Sequence, residues 1–482
     1  MTSTPEDIEL PEAAQTTAGP SVASLKVTAG QVVVDENHPF DLDAYLSSYT
    51  GRTAYMRAVF IAQRCPSLAP PAYQTALGHL LQGSDVQSYV TVLSAYNTLP
   101  GVTQATQDQD YVDKTIANNT KEKDRLEVDL KTYAANMIKE SVRLSHRELG
   151  RYFYSTGDYA AALRNHMKSR EFCTNATHVI EMCVSVLEIL LEQQNYAHLS
   201  TYIYKAETAL DASQPAKNSK AGAAAAGSPE RIKIQAKLEF ASAMAEMGAG
   251  RYDKAAYAFL KMKNDLGDWN GKVVTPSDIA IYGTLCALAS LSRSAIKAAV
   301  LESETFGYYL EQEPYIRDIL DAYMGSKFKD VLLLMERYSS RHFLDIHLAH
   351  HVPSLAQQIR NRALVLYFQP FATVHLERMA AAFGMELVDM EANIVKLIEE
   401  GLIKARIDSQ NKILKAKDHD PRVELYNRAV ASGLETEAST RKLLWRMKLL
   451  QADIVIRAPK GQRGEGRQDS LQSGLVGWDD LQ

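Results

Sequence analysis

The sequence lacks most of the features that let a chain be classified at sight. Its 482 residues include four cysteines, Cys65, Cys173, Cys183 and Cys286, and no CxxC pair. That excludes a disulfide framework and predicts reduced structural thiols in an intracellular protein. The sequons at Asn118 and Asn175 then have no glycosylation compartment to act in. Apolar runs are short, Val331–Met335 being typical of the longest, whereas a membrane-spanning helix needs ~20 apolar residues. The opening MTSTPEDIELPEAAQTTAG is acidic and has neither the basic nor the apolar region of a signal peptide. Excess positive charge is missing too. With 53 Lys and Arg against 58 Asp and Glu the net charge is −5, so no global field draws the chain to nucleic acid or an anionic membrane.

Motifs that carry chemistry are equally scarce. DIHLAHH offers His347, His350 and His351, but without the HExxH glutamate or a nearby carboxylate as third ligand. Helix-surface or partly buried histidines are the expectation there. GDWNGKV is one residue short of a phosphate loop around Gly271–Lys272, has Val273 where magnesium needs Ser or Thr, and follows no strand. No GxSxG or GxGxxG occurs in the folded part. The reading is of a chain with no catalytic residue, no metal and no cofactor.

What is present is helical periodicity. Leu42, Tyr45, Leu46 and Tyr49 share one helix face, Tyr55–Gln63 continues as a second helix, and Ala72–Leu81 and Val86–Tyr96 supply two more. A long polar stretch from Asp108 to Gly150 carries KEKDRLEVDLK, the solvated side of a long helix. Then a repeat appears. Leu149, Gly150, Phe153, Gly157, Tyr159 and Ala162 have the order and spacing of a tetratricopeptide-like hairpin. The pattern returns loosely at Tyr196, Leu199, Ile203 and Ala206. It is clearer in AGRYDKAAYAF, where Gly250, Tyr252, Ala255 and Phe259 match Gly157, Tyr159, Ala162 and His166. The longer interval before Tyr252 contains the low-complexity SQPAKNSKAGAAAAGSPE, a surface loop. Hairpins stacked in this way bury their apolar faces on their neighbours and build a right-handed α-solenoid.

The last third changes character. Leu355, Ile359, Ala363 and Leu366 line one helix, stopped by Pro370; Leu376, Met379, Ala380 and Phe383 line a second, capped by Gly384. Val388, Ile394, Leu397 and Ile398 form a third, ended by Gly401. The period then drops to two, Ile403, Ala405 and Ile407 alternating with Lys404 and Arg406. Ser409–Asn411 make a turn, and Ile413 and Leu414 open a return strand. Helix, turn, helix and two-stranded hairpin is a winged helix. Specific nucleic-acid recognition is not expected, because the third helix has Asp389, Glu391, Glu399 and Glu400 against Lys396 alone. Beyond it, Pro421 opens a helix to about Arg457, along which Leu443, Met447, Leu450 and Ile454 form a short heptad seam.

A helical-repeat solenoid capped by a winged helix is the plan of the PCI domain, found in scaffold subunits of the proteasome lid, the COP9 signalosome and translation initiation factor three. LDAYLSSYTGRTAYMRAVFIAQRCP, LGRYFYSTGDYAAAL, SDIAIYGTLCALASL, HVPSLAQQIRNRALVLYFQPF with RMAAAFG, and GLIKARIDSQNKIL resemble, in order and spacing, the COP9 signalosome subunit 1 family from His38 to about Ile456. The resemblance implies a mainly α fold in which residues 38–107 form an N-terminal helical region and 108–350 the TPR-like solenoid with a flexible insert at 211–230. Residues 351–418 are then the PCI winged-helix region and 419–458 the C-terminal helix, between disordered tails at 1–37 and 459–482. It also implies a non-catalytic scaffold in cytoplasm and nucleus. Its partners would be the other COP9 signalosome subunits and, through the assembled complex, cullin–RING ligases, which a separate zinc metalloprotease subunit deneddylates. That enzyme's HxH…D ligand pattern is missing here. PCI subunits associate through winged helices and a bundle of C-terminal helices. The candidate contact residues are therefore Leu402, Ile403, Ala405, Ile407, Ile413 and Leu414 of the hairpin, and Leu443, Met447, Leu450 and Ile454 of the last helix. A proteasome-lid or initiation-factor scaffold is the alternative.

Overall fold

Asp41, Asp85, Asp108 and Asp158 each stand one residue ahead of a helix, and each accepts a backbone N–H from its first turn. Caps of this kind satisfy donors that a helix start leaves open. In the computed structural model, which describes residues 32–101, 104–212, 229–417 and 421–452, they punctuate a chain built almost entirely of helices. One unit ends at Ala416 and a second begins at Lys417. The anticipated insert falls largely, and the two tails almost wholly, outside the described residues.

The first four helices, Leu42–Ser47, Gly51–Arg64, Ala69–Leu80 and Val86–Asn97, share a core of their own around Tyr49, Ala58, Ile61 and Tyr73. The third begins at Ala69, ahead of the expected start, because Pro70 and Pro71 sit in its first turn, where a missing N–H goes unnoticed. The polar stretch after Asp108 is two helices and not one, Gln109–Ala135 and Lys139–Thr156. Between them Met137 takes a left-handed φ of 52° and the Ile138 N–H turns back to Tyr133 O. No glycine or proline marks that break in the sequence.

The repeat pattern corresponds to real hairpins. Lys139–Thr156 pairs with Tyr159–Ser169, Ala176–Glu192 with Leu199–Ala212, and Pro229–Gly248 with Tyr252–Lys261. The first and third turn through Gly157 (φ 90°) and Gly250 (φ 74°), a conformation that L side chains rarely adopt. At Gly157 a Cβ would also stand 2.6 Å from the Asp85 carboxylate. The second hairpin turns through Gln194 (φ 57°) instead, which is why its sequence pattern is loose. Behind them Pro276–Ser290, opened by a Thr275–Asp278 capping box, is buried from Asp278 to Ala289. Pro314–Met324 and Phe328–Arg337 continue the stack.

Two arginines of the Gly51–Arg64 helix join the N-terminal helices to this stack. The Arg57 guanidinium, fully buried, lies 2.7 Å from Asp345 and 3.2 Å from Asp278, with its carbon 4.2 Å from the Tyr49 ring centre. Asp345 also accepts the Tyr282 hydroxyl at 2.7 Å and the N–H groups of His347 and Leu348 at 2.9 Å. Arg341 bonds the second Asp278 oxygen at 3.1 Å. One turn earlier in the helix, Arg52 pairs with Asp85 at 3.1 Å and donates to the Tyr159 hydroxyl at 3.2 Å. The Thr50 N–H donates to Gly271 O at 2.8 Å, so GDWNGKV is a docking turn for this helix.

The winged helix shares the solenoid's core. Phe328 stacks on Phe383 with centroids 5.3 Å apart, and one apolar cluster runs from Met182 to Leu414. Its helices are Val352–Phe368, Leu376–Phe383 and Leu387–Glu399. The sheet has three strands where two were expected: β1 (Thr373–His375), β2 (Ala405–Asp408) and β3 (Ile413–Ala416), in the order β1-β3-β2. β1 is three residues long and directly precedes a helix, too short for an alternating pattern to register.

Arg57→Ala should cost about 3–5 kcal/mol, the range for leaving a buried charge unpaired, measured by urea unfolding of the full chain. A change within about 0.5 kcal/mol would contradict the clamp. A second expectation concerns acid. Burial, followed by the Arg341 charge, pushes His342 down to about 3, and burial with Arg57 pushes His347 down to about 4. Between those values and the unfolded pKa near 6.5 the unfolded chain binds more protons, so these groups cost stability as pH falls through that window. Glu192, which burial raises to about 7, acts in the opposite sense. The readout is therefore the difference between His342→Gln and the parent, which should narrow by up to about 1.4 kcal/mol per pH unit below pH 6.5. Parallel pH profiles would contradict it.

Candidate interaction surfaces

Alternation decides which hairpin residues can meet a partner. Ile403, just ahead of β2, and Ala405 within it turn inward at 3% and 7% exposure, and Leu414 is fully buried opposite Val374 of β1. Those three candidates are core side chains; a three-stranded sheet with a helix layer behind it leaves no second open face for them. Ile407 and Ile413 are half-buried, and Leu402 is exposed. The outer edge of β2 pairs with no strand among the described residues, so the hairpin's capacity for a partner lies in its main chain.

The third helix contributes what the sequence reading missed. Val388, expected inside, is 75% exposed, and Met390 takes the core position instead. Val388 and Val395, seven residues apart and both exposed, form an apolar ridge on this helix, which ends at Glu399; Leu402, exposed too, lies beyond the left-handed Gly401 (φ 74°). The heptad spacing was the available signal. Asp389, Glu399 and Glu400 flank the ridge, all exposed, while Glu391 is taken by Lys412 at 2.8 Å. A helix so lined repels phosphates and suits a protein surface.

The Pro421–Gln451 helix presents the largest apolar surface. Every described residue from Arg422 to Ala452 is exposed. Leu443 (59%), Met447 (63%) and Leu450 (44%) lie on one side as expected; Ile454 falls outside the described residues. The stripe is broader than the heptad reading, because Leu444, Trp445 and Leu449 are exposed on the other side. Leu, Met and Trp exposed together suit a partner surface, with Arg441, Lys442, Arg446 and Lys448 exposed among them. Covering Leu443, Met447 and Leu450 alone contributes on the order of 5–9 kcal/mol.

Two histidines of DIHLAHH, His347 and His351, serve the fold, and His350 is exposed. The Tyr196 hydroxyl meets His347 Nδ1 at 2.8 Å and the Tyr252 hydroxyl meets His351 Nδ1 at 3.2 Å. The tyrosines that mark the repeats thus anchor the segment leading into the winged helix. Among the described residues no three His, Cys, Asp or Glu side chains are grouped to hold a metal ion, and no helix is long and apolar enough to cross a membrane.

A solenoid sharing its core with a winged helix, and carrying surfaces suited to proteins, defines a protein of the PCI class. Family models agree: PCI domain matches residues 335–418, and 26S proteasome subunit RPN7 matches residues 108–299. Over 90% of its length the chain is 32% identical to COP9 signalosome complex subunit 1b of Drosophila melanogaster, covering 90% of that protein. The COP9 signalosome complex subunit 1 of Arabidopsis thaliana is 32% identical over 90% of this chain and 95% of its own. That of Emericella nidulans is 30% identical over 94% and 90% respectively. The chain belongs to the COP9 signalosome subunit 1 family.

Because Leu443 and Leu450 are exposed, replacing both with Asp should leave urea unfolding of the isolated chain within about 0.5 kcal/mol of the parent. A larger loss would mean that the stripe is covered from within the chain.

Proposed function

We propose that this chain is a non-catalytic scaffold subunit of the COP9 signalosome. It supports deneddylation of cullin–RING ubiquitin ligases, with hydrolysis carried out by a separate metalloprotease subunit. The observation that carries the reading is the pairing of family-wide similarity with a terminal helix whose apolar residues are exposed among the described residues. A scaffold needs surfaces like this, and they are worthless to an isolated monomer.

The winged helix and the terminal helix divide the work. The β2 edge offers main-chain hydrogen bonds, which fix register but select weakly among partners. The Val388–Val395 ridge, exposed Leu402 and the Leu443–Leu450 stripe offer area, which supplies most of the association energy. Cullin–RING ligases are reached through the assembled complex, and cytoplasm and nucleus are the compartments that this role requires. A proteasome-lid scaffold is the second reading, favoured by the RPN7 match to residues 108–299. That match covers the solenoid and not the surfaces described above.

Affinity purification of the tagged chain in gentle salt separates the two. The signalosome reading expects the metalloprotease subunit and the other PCI subunits in the eluate; recovery of lid components without them would overturn it. Leu443→Asp with Leu450→Asp should lower that recovery about tenfold or more, since each aspartate forfeits a buried leucine. Undiminished recovery would remove the terminal helix from the interface.

A further inference from the structure

Two positive charges meet three negative ones where the first helices join the solenoid. Arg57 and Arg341 are the guanidiniums, and Asp278, Asp345 and Glu313 are the carboxylates that approach them to within 3.9 Å. His342 and His347 do not make up the difference, because burial, followed by the arginine charges, pushes them down to about 3 and about 4 and leaves them neutral. Asp278 and Asp345 are buried and take the short contacts, at 2.7 to 3.2 Å. The deficit falls on Glu313. Its nearest cation, Arg341 Nη2, stops 3.9 Å away, too far for a hydrogen bond, and already donates to Asp278 at 3.1 Å. Of the three carboxylates Glu313 alone keeps appreciable side-chain exposure, 19%.

Glu313 lines a pocket of about 300 Å³ whose walls are aromatic. Tyr338 stacks on Tyr315 with ring centres 4.1 Å apart, and Phe40 meets Tyr45 at 5.4 Å. The Ser340 hydroxyl holds the segment that brings in Phe40 by donating to Pro39 O at 3.3 Å. Asp41 is exposed and lines the pocket too; one of its oxygens caps the Leu42–Ser47 helix, and the other has no hydrogen bond among the described residues. Arg341 is the one Lys or Arg in the lining, and its bond is spent on Asp278. Burial raises the Glu313 pKa against the pull of Arg341 and of a Ser277 hydrogen bond, as befits a carboxylate short of counter-charge.

We propose that this pocket receives one arginine side chain of a partner polypeptide, its guanidinium bonding the Glu313 carboxylate and stacking on the aromatic walls, with Asp41 adding negative charge. The volume is at the low end for ligand pockets and suits a single long side chain. Two carboxylates against one spent guanidinium select a cation. Among cations, the planar and weakly hydrated guanidinium pairs with a carboxylate through two parallel hydrogen bonds and stacks on rings, whereas an ammonium is a compact, strongly hydrated charge. Free arginine fits less well, because its own α-carboxylate would meet Asp41 and no unspent cation. The pocket involves neither the winged helix nor the terminal helix, so it does not rest on the scaffold reading.

The test uses the full-length chain alone and the end-capped peptide Ala-Ala-Arg-Ala-Ala, titrated by saturation-transfer difference NMR, which reads weak binding. Saturable binding is expected, with the transfer strongest on the arginine side chain. Citrulline in place of arginine removes the charge and keeps the shape, and should weaken binding by about tenfold or more, as should Glu313→Gln. The lysine peptide and free arginine should both bind more weakly than the arginine peptide. Glu313→Gln relieves an unmatched charge, so its melting temperature should hold or rise. Asp41→Asn keeps the helix cap, since Asn caps about as well as Asp, and should weaken binding a few-fold. No saturable binding, equal affinity for the citrulline peptide, the lysine peptide or free arginine, an unaltered affinity in either variant, or a lowered melting temperature in Glu313→Gln would each overturn the proposal. Because no partner subunit is present, these results do not depend on whether the chain assembles into the signalosome.

Discussion

A single buried guanidinium holds together parts of the chain that lie far apart in sequence. Arg57 meets Asp345 and Asp278 where neither water nor a surface cation can substitute, and Tyr45 and Tyr49 enclose it. Such a pair adds little net stability over a well-packed apolar cluster, because desolvation offsets most of the Coulomb attraction. What it supplies is exclusivity. An apolar patch tolerates many registers, whereas two carboxylates from different segments converge on one arginine in one arrangement. That arrangement fixes the N-terminal helices, the buried Pro276–Ser290 helix and the segment that leads into the winged helix against one another. Arg52, with Asp85 and Tyr159, repeats the device on the first hairpin.

Rigidity of this kind is what a scaffold requires of its body. Phe328 on Phe383 carries the shared core into the winged helix, so the β2 edge and the exposed Val388 and Val395 are presented on a fixed frame. The Pro421–Gln451 helix has the opposite character, with its leucines, tryptophan and methionine all exposed. The body keeps most of its large apolar side chains in a core and exposes only a few such as Val388, whereas every described residue of the terminal helix from Arg422 is exposed. Division of labour between a frame with its own core and an exposed helix is the physical content of the scaffold reading.

Much of this was legible in the sequence, and the failures have definite causes. Periods near 3.6 located the helices because most are amphipathic, and Gly157, Gly250, Gly384 and Gly401 marked their ends because a left-handed residue is needed there. The break at Met137 was invisible, since an ordinary side chain adopts the glycine conformation. β1 was too short to alternate. Burial on the hairpin could not be assigned without knowing that β3 is central, which turned Ile403, Ala405 and Leu414 from candidate contacts into core. Val388 was misplaced because the third helix has apolar residues on two faces, one for the core and one for the exposed ridge. The histidines of DIHLAHH and the loop GDWNGKV were read as having no chemical role, and the structural one of His347, His351 and Gly271 depends on Tyr196, Tyr252 and Thr50, distant in sequence and adjacent only in the fold.

The central claim is that the terminal helix is completed by other subunits while the body holds its core without them. Hydrogen exchange at the backbone amides of Pro421–Gln451, compared between the isolated chain and the purified assembly, tests it most directly. The account predicts fast exchange along this helix in the isolated chain and strong protection in the assembly, with the amides of the Pro276–Ser290 helix slow in both. Equal exchange of the terminal helix in the two states would contradict it.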